Sequence, residues 1–221
     1  MIDRLLELVA PHHCCGCGKS GSLLCTNCKY NITSEAKSTC LACGRPCSGR
    51  GVCNTCRVPY DGAWWVGERK DALQRLIGLY KFERAKAAYR VLGDLLDGVL
   101  PKMPPGTVIV PVPTVPDHIR ERGYDHTLLI ARRLSKARNL PVQKILARNT
   151  KTMQRHATAT ERNRQARNAF KVLGEIDEQL TYIIVDDVVT TGATVRYAAK
   201  ALKDAGAKRV FVAVLARQTL D

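Results

Sequence analysis

Residues 182–194 read YIIVDDVVTTGAT, an apolar run that ends in two adjacent aspartates and passes at once into a Thr/Gly loop. Ile183, Ile184 and Val185 have the composition of a buried strand. Asp186 and Asp187 then fall at that strand's carboxyl end, the usual ligand position in an open parallel sheet. Paired carboxylates there can accept hydrogen bonds from sugar hydroxyls. Thr190, Thr191, Gly192, Ala193 and Thr194 form a turn whose backbone N–H groups face an anion, and a helix opening at Val195 adds its positive end. The order suits a ribose that carries a phosphate. A simple helix cap needs neither the acid pair nor the buried strand.

The stretch resembles the signature of type I phosphoribosyltransferases: four apolar residues, two acids and a TTG-x-T loop. The resemblance implies that Asp186 and Asp187 hold the ribose hydroxyls of phosphoribosyl pyrophosphate (PRPP), and that residues 190–194 hold its 5-phosphate.

Working outward, strands and helices alternate. Residues 63–66 read as a strand, and 71–81 and 85–100 as helices. In the second helix Ala88, Val91, Leu92, Leu95, Leu96 and Val99 recur at helical spacing. A Pro/Gly turn at 102–106 leads to a β-branched strand at 107–112. Asp125 can cap a helix with Leu128, Ala131, Leu134 and Ala137 inward, ending near Asn139 ahead of Pro141. Residues 142–146 read as another strand. After the motif, Val195, Ala198, Ala199, Leu202 and Ala205 face inward on a helix stopped by Gly206, and 210–215 is a last buried strand. This alternation predicts an α/β domain over 59–221, a parallel sheet covered by helices on both faces.

Two further segments bear on the ligand. Strand 107–112 runs into PVPTVPDHIRERGYDHT. Phosphoribosyltransferases place a pyrophosphate loop after an early strand, which makes Val112, Pro113 and Thr114 the candidates. Arg120 and Arg122 either fork onto phosphate oxygens or only solvate the loop. The basic segment 154–170, with Gln154 and Arg162, reads either as a lid that excludes water or as a basic surface helix.

All ten cysteines fall between positions 14 and 56. Eight form C-x-x-C pairs, and two pairs complete one tetrahedral four-cysteine zinc site. Two structural zinc ions are therefore expected in a head spanning 1–58. Sequential pairing joins Cys14, Cys17, Cys25 and Cys28, then Cys40, Cys43, Cys53 and Cys56. Interleaved pairing is the alternative, but shorter loops cost less closure entropy and favour the sequential set. His12 and His13 are spare ligands beside Cys14. Cys15 and Cys47 are left over, as packed residues or free thiols. A disulfide framework fits poorly with a chain lacking an export signal.

The chain has 221 residues, 45% hydrophobic and 25% charged, with net charge +15. Such a charge favours phosphate-rich or polyanionic partners. No apolar run reaches the ~18 residues of a membrane span. The start, MIDRLLELVAP, reads as a short amphipathic helix with Ile2, Leu5, Leu6 and Val9 on one face, and lacks a signal-peptide layout. A cytoplasmic protein is expected.

Taken in order, the four C-x-x-C pairs, LYKF at 79–82, PVP at 111–113, RGYDHTLLIAR at 122–132, the Q…R…NAF segment at 154–170 and IIVDDVVTTGAT resemble the ComF family of competence-associated proteins. The resemblance implies a double zinc ribbon joined to a phosphoribosyltransferase domain. It further implies PRPP with Mg2+ as ligand, and a role in DNA uptake with single-stranded DNA as a partner. Zinc ribbons also dock protein partners. The chain departs from the family pattern in carrying Asp125-His126 where members often have Asn-Gln, and Gln165 where many have Asn. Salvage enzymes for 6-oxopurines carry an Asp at the place of Thr190, so its absence argues against a hypoxanthine or guanine acceptor.

Overall fold

A computed structural model describes residues 12–34, 39–47, 49–83, 85–149 and 169–218. The expected helix at the amino terminus and most of the basic segment, including Gln154 and Arg162, lie outside the described residues. The elements in order are α1 (Thr26–Ser34), β1 (Gly62–Glu68), α2 (Asp71–Phe82), α3 (Ala88–Val99), β2 (Thr107–Pro111), α4 (Pro116–Arg122), α5 (His126–Arg138), β3 (Leu146–Arg148), β4 (Phe170–Val172), β5 (Thr181–Val189), α6 (Ala193–Asp204) and β6 (Arg209–Arg217). Among the described residues no helix is long and apolar enough to cross a membrane.

The main sheet has the order β1-β6-β5-β2 with every pairing parallel. Each strand is buried almost throughout, as a sheet covered on both faces requires. One face carries Ile183, Val185, Phe211 and Ala213 against α2, α3 and α5, where Leu76, Tyr80, Leu92, Leu96, Ile130 and Leu134 are fully enclosed. The other carries Tyr182, Ile184, Val210, Val212 and Val214 against α6, through Val195, Ala198, Ala199 and Leu202. Ala205, expected inward on α6, is exposed just past its end.

Three local readings are corrected. The strand expected at 142–146 makes only a single parallel bridge, Val142 to Ile109. The chain then turns away, and Leu146–Arg148 pairs antiparallel with Phe170–Val172 in a separate two-stranded ladder. On α5 the inward face is rotated: His126, Thr127, Ile130, Ala131 and Leu134 are buried, while Leu128 is half-buried and Ala137 exposed. Residues 116–122, read as a loop, form α4, with Pro116 opening its first turn and Gly123 (φ 80°) closing it.

The cysteine head forms two similar knuckles. Cys14 accepts from Gly18 N at 2.9 Å and Cys40 from Gly44 N at 2.8 Å, both through backbone oxygens. Both glycines need left-handed backbone, φ 77° and 75°. Single bridges, His13–Ser20 and Thr39–Pro46, close the two turns. The residue after the first cysteine is buried in each. Cys15 joins the α2/α3/α5 face and Leu41 joins the α6 face. The head thus packs on both sides of the sheet.

Candidate functional site

β2 pairs with β5 only as far as Pro111 opposite Val185, whereas β5 continues beside β6 to Val189. The acid pair is therefore inside β5 rather than at its very end, at the level where its β2 neighbour has stopped. That gap opens a cleft of about 210 Å³, lined among others by Lys81, Val112, Pro113, Thr114, Arg122, His126, Arg148, Asp186, Asp187 and Thr194. Larger hollows of about 840 and 400 Å³ flank the first knuckle. They lack a convergent set of buried ionisable groups, so the smaller cleft is the chemical candidate.

Asp187 meets two partners at ion-pair distance, although neither contact has the alignment of a hydrogen bond at its Oδ2. Its Oδ2 lies 2.6 Å from Lys81 Nζ of α2 and 2.6 Å from His126 Nε2 of α5. The His126 ring meets Arg122 Nη1 through Nδ1 at 3.0 Å. Its backbone oxygen accepts the Tyr80 hydroxyl at 2.8 Å. Thr114 Oγ1 donates to Asp125 Oδ1 at 2.8 Å, and Asp125 Oδ1 also accepts from Leu128 N at 3.1 Å, capping α5. Arg148 Nε donates to Pro113 O at 2.8 Å and its guanidinium lies 5.1 Å from the Phe170 ring centre. The ends of the β3–β4 ladder are thereby fixed at the cleft.

The two carboxyls are driven apart electrostatically. Burial, then the neighbouring Asp187 charge, pushes Asp186 up to about 7. Burial would raise Asp187 as well, but the close His126 ring and the Lys81 ammonium outweigh it and hold that carboxyl well below the usual range. Near neutral pH one acid is ionised and the other is poised to carry a proton.

Among the expected site residues, Asp186, Asp187, Val112, Pro113, Thr114, Arg122 and Thr194 come together on the cleft. Thr190 and Thr191 are exposed, and Gly192 (φ 75°) forms the turn into α6, where Ala193 N meets Thr191 Oγ1 at 3.4 Å. Arg120 is not brought in; it is exposed and pairs with Asp117 one turn earlier. Lys81 and His126 are contributors to which the sequence reading gave no role in the site, whereas Arg148 opens the basic run 148–167 that favours an anionic partner.

The cysteines divide sequentially. Cys14, Cys17, Cys25 and Cys28 form one group and Cys40, Cys43, Cys53 and Cys56 the other, with the sulfurs of each within 4.8 Å of one another. Cys17 and Cys25 sulfurs are 3.7 Å apart, as are those of Cys43 and Cys53. Zn–S bonds of ~2.3 Å at tetrahedral angles put sulfurs ~3.8 Å apart, whereas a disulfide would bring them to ~2.05 Å. The groups therefore fit zinc. N–H groups of Gly16 and Cys25 point at Cys14 Sγ, at 3.4 and 3.3 Å, and favour its thiolate. His13 bonds Gly18 O instead of joining the cluster. Among the described residues these are the only sets of three or more ligating side chains.

Residues 128–219 match the family described as phosphoribosyl transferase domain. The chain is 30% identical over 207 residues to the DNA utilization protein YhgH of Salmonella typhi, covering 88% of this chain and 90% of that protein. It is 29% identical over 224 residues to Competence protein F of Haemophilus influenzae, covering 87% and 96%. It is 25% identical over 204 residues to Competence protein ComFC of Bacillus subtilis, covering 85% and 81%.

Proposed function

We propose, from the premise that the chain belongs to the ComF family of competence-associated proteins, that its cleft binds PRPP and transfers the phosphoribosyl group to a nitrogen nucleophile. One observation carries the reading. The acid pair, the 112–114 loop and the start of α6 converge on a single cleft at the carboxyl ends of the strands. Asp186 and Asp187 would receive the ribose hydroxyls. Thr190–Thr194 would cradle the 5-phosphate at the amino end of α6. The 112–114 loop, Arg122 and Arg148 would receive the pyrophosphate. Attack at ribose C1 by a base or ammonia forms the new C–N bond as the C–O bond to pyrophosphate breaks.

Magnesium fits this site only in company with the ligand. Asp187 is already committed to Lys81 and His126, and Asp186 is poised to hold a proton, so no free carboxylate cage exists among the described residues. The ion would be held by pyrophosphate, ribose and water oxygens, and when bound would neutralise the leaving group. The relatives' names, competence and DNA utilization, support a setting in which the protein serves the handling of DNA.

The test is calorimetry of zinc-loaded protein with PRPP and Mg2+, with ribose 5-phosphate as control. Saturable binding lost in Asp186→Asn/Asp187→Asn, at unchanged zinc content, supports the assignment. Binding that survives the double substitution sinks it.

A second reading, nucleic-acid binding, is favoured by a groove of about 520 Å³ toward the amino ends of β1 and β6. It is lined by Trp64, Pro101, Met103, Pro104 and Phe211 with Arg50, Lys102 and Arg209, and by no acid. Trp65 is core at 2% exposure, which leaves half-buried Trp64 as the ring facing this groove. A base could stack on it with phosphates on the three cations. Single-stranded oligonucleotide affinity that falls steeply with salt and weakens in Trp64→Ala supports this reading; salt-insensitive or unchanged affinity rejects it.

A further inference from the structure

We propose that His126 is a positioning residue: a neutral imidazole, protonated on Nε2, that locks the Asp187 carboxylate and the Arg122 guanidinium into one line across the cleft. The affinity part of the argument rests on the PRPP reading above; the tautomer part does not.

The tautomer follows from the two neighbours. Nε2 is 2.6 Å from Asp187 Oδ2, and an ionised carboxylate can only accept. Nδ1 is 3.0 Å from Arg122 Nη1, and a guanidinium can only donate. The ring must therefore donate on one side and accept on the other. The opposite tautomer would set acceptor against acceptor and donor against donor. A doubly protonated ring would keep Asp187 but turn an N–H toward Arg122. Among the described residues, the other hydrogen-bond partner at Nδ1 is Thr114 Oγ1, 3.3 Å away, whose own proton goes to Asp125. Protonation thus trades Arg122 for Thr114 and frees the guanidinium.

The ring's surroundings come from every element around the cleft. β5 supplies Asp186 and Asp187, α2 supplies Lys81 and Tyr80, and α4 supplies His118 and Arg122. Asp125 precedes α5, Tyr124 stacks on Tyr80, and β3 supplies Arg148. His126 is 9% exposed, so water does not substitute for these partners. Arg122, placed this way, faces the 112–114 loop where the pyrophosphate is expected. A glutamine offers the same pair of functions, an amide N–H for Asp187 and a carbonyl for Arg122, without a titrating group.

The test has two arms. Long-range 1H–15N NMR on zinc-loaded protein at pH 8 should show His126 as the Nε2–H tautomer. Arg122 side-chain N–H signals should be protected in wild type and His126→Gln and broadened by exchange in His126→Ala. An Nδ1–H or doubly protonated ring, or Arg122 signals indifferent to His126→Ala, overturns the proposal whether or not PRPP binds. In the second arm, PRPP affinity should be nearly retained in His126→Gln and about 10- to 100-fold weaker in His126→Ala, the loss of one hydrogen bond to a charged group. A glutamine variant as weak as alanine rejects the positioning role. Absence of PRPP binding at every pH with the NMR result intact removes the ligand reading and leaves the His126 assignment standing.

Discussion

Lys81, in the last turn of α2, sets its ammonium 2.6 Å from the Asp187 carboxylate of β5, with side-chain exposures of 17% and 8%. The pair ties a helix on one sheet face to the strand that carries the acid site. Removing one partner of a mostly buried pair strands the other charge, at a cost of about 3–5 kcal/mol. Lys81→Met should therefore lower stability by roughly that amount in urea melts, and Lys81→Met/Asp187→Asn should recover part of the loss. A single variant as stable as wild type would show the contact to be solvated and weak.

The pH dependence of stability should carry the mark of Asp186. Its carboxyl is raised from 3.8 to about 7 in the folded chain, through burial and the Asp187 charge. A raised acid contributes stability that is complete below the unfolded value and lost as pH rises through the folded one. Asp187, depressed, works the other way, with its contribution kept above its unfolded value. Asp186→Asn should thus gain stability relative to wild type between pH 4 and 7, with the difference level at higher pH. Urea melts at pH 5, 6, 7 and 8 decide; a constant offset would refute the burial argument.

Glycines in the two knuckles should respond unequally to substitution. At Gly51 (φ 67°) an added Cβ would meet the Ala63 carbonyl oxygen at 2.2 Å, and that oxygen is backbone in β1. At Gly18 (φ 77°) the same atom would meet nothing within 4 Å. Gly18→Ala should cost only its left-handed backbone, about 1–3 kcal/mol. Gly51→Ala should cost more and shift the knuckle off the sheet, readable as a lower Tm with two zinc ions still bound.

Zinc removal should unfold more than the head. Cys14, Cys15, Leu23 and Leu24 belong to one hydrophobic cluster of the sheet and Leu41 to the other. Structural zinc contributes ~10–16 kcal/mol to small modules, so chelation removes support from both faces. A strong chelator should lower the melting of the whole chain in one transition. A separate, unshifted transition for residues 59–221 would mean the two parts fold independently.

Much of the architecture was readable because local patterns agree with the fold. Residues 182–194 announce a buried strand, an acid pair and a turn into a helix, and all three are there, although the strand runs on to Val189. The Pro and Gly that bound α4 were also present in the sequence, as Pro116 and Gly123. The phase of α5 was not legible. His126 and Thr127 are polar, and a periodicity argument sends polar residues outward, whereas the site pulls both in and rotates the helix. Lys81 and His126 lie far from Asp187 in sequence, and nothing local predicts that two helices deliver them to one carboxylate. The 142–146 strand failed for a similar reason: Val142, Ile145 and Leu146 are apolar, but the bridge at Val142 ends as the chain leaves for the β3–β4 ladder.

The two knuckles share a four-cysteine set, glycine turn and closing bridge, yet the side chain each buries after its first cysteine differs, Cys15 in one and Leu41 in the other. Their four-cysteine parts are alike; their plugs are not. Each plug is cut to the sheet face that receives it, so exchanging the knuckles wholesale would preserve coordination while mismatching both seats. Divergence between the repeats is then a record of two different docking surfaces rather than of two different metals.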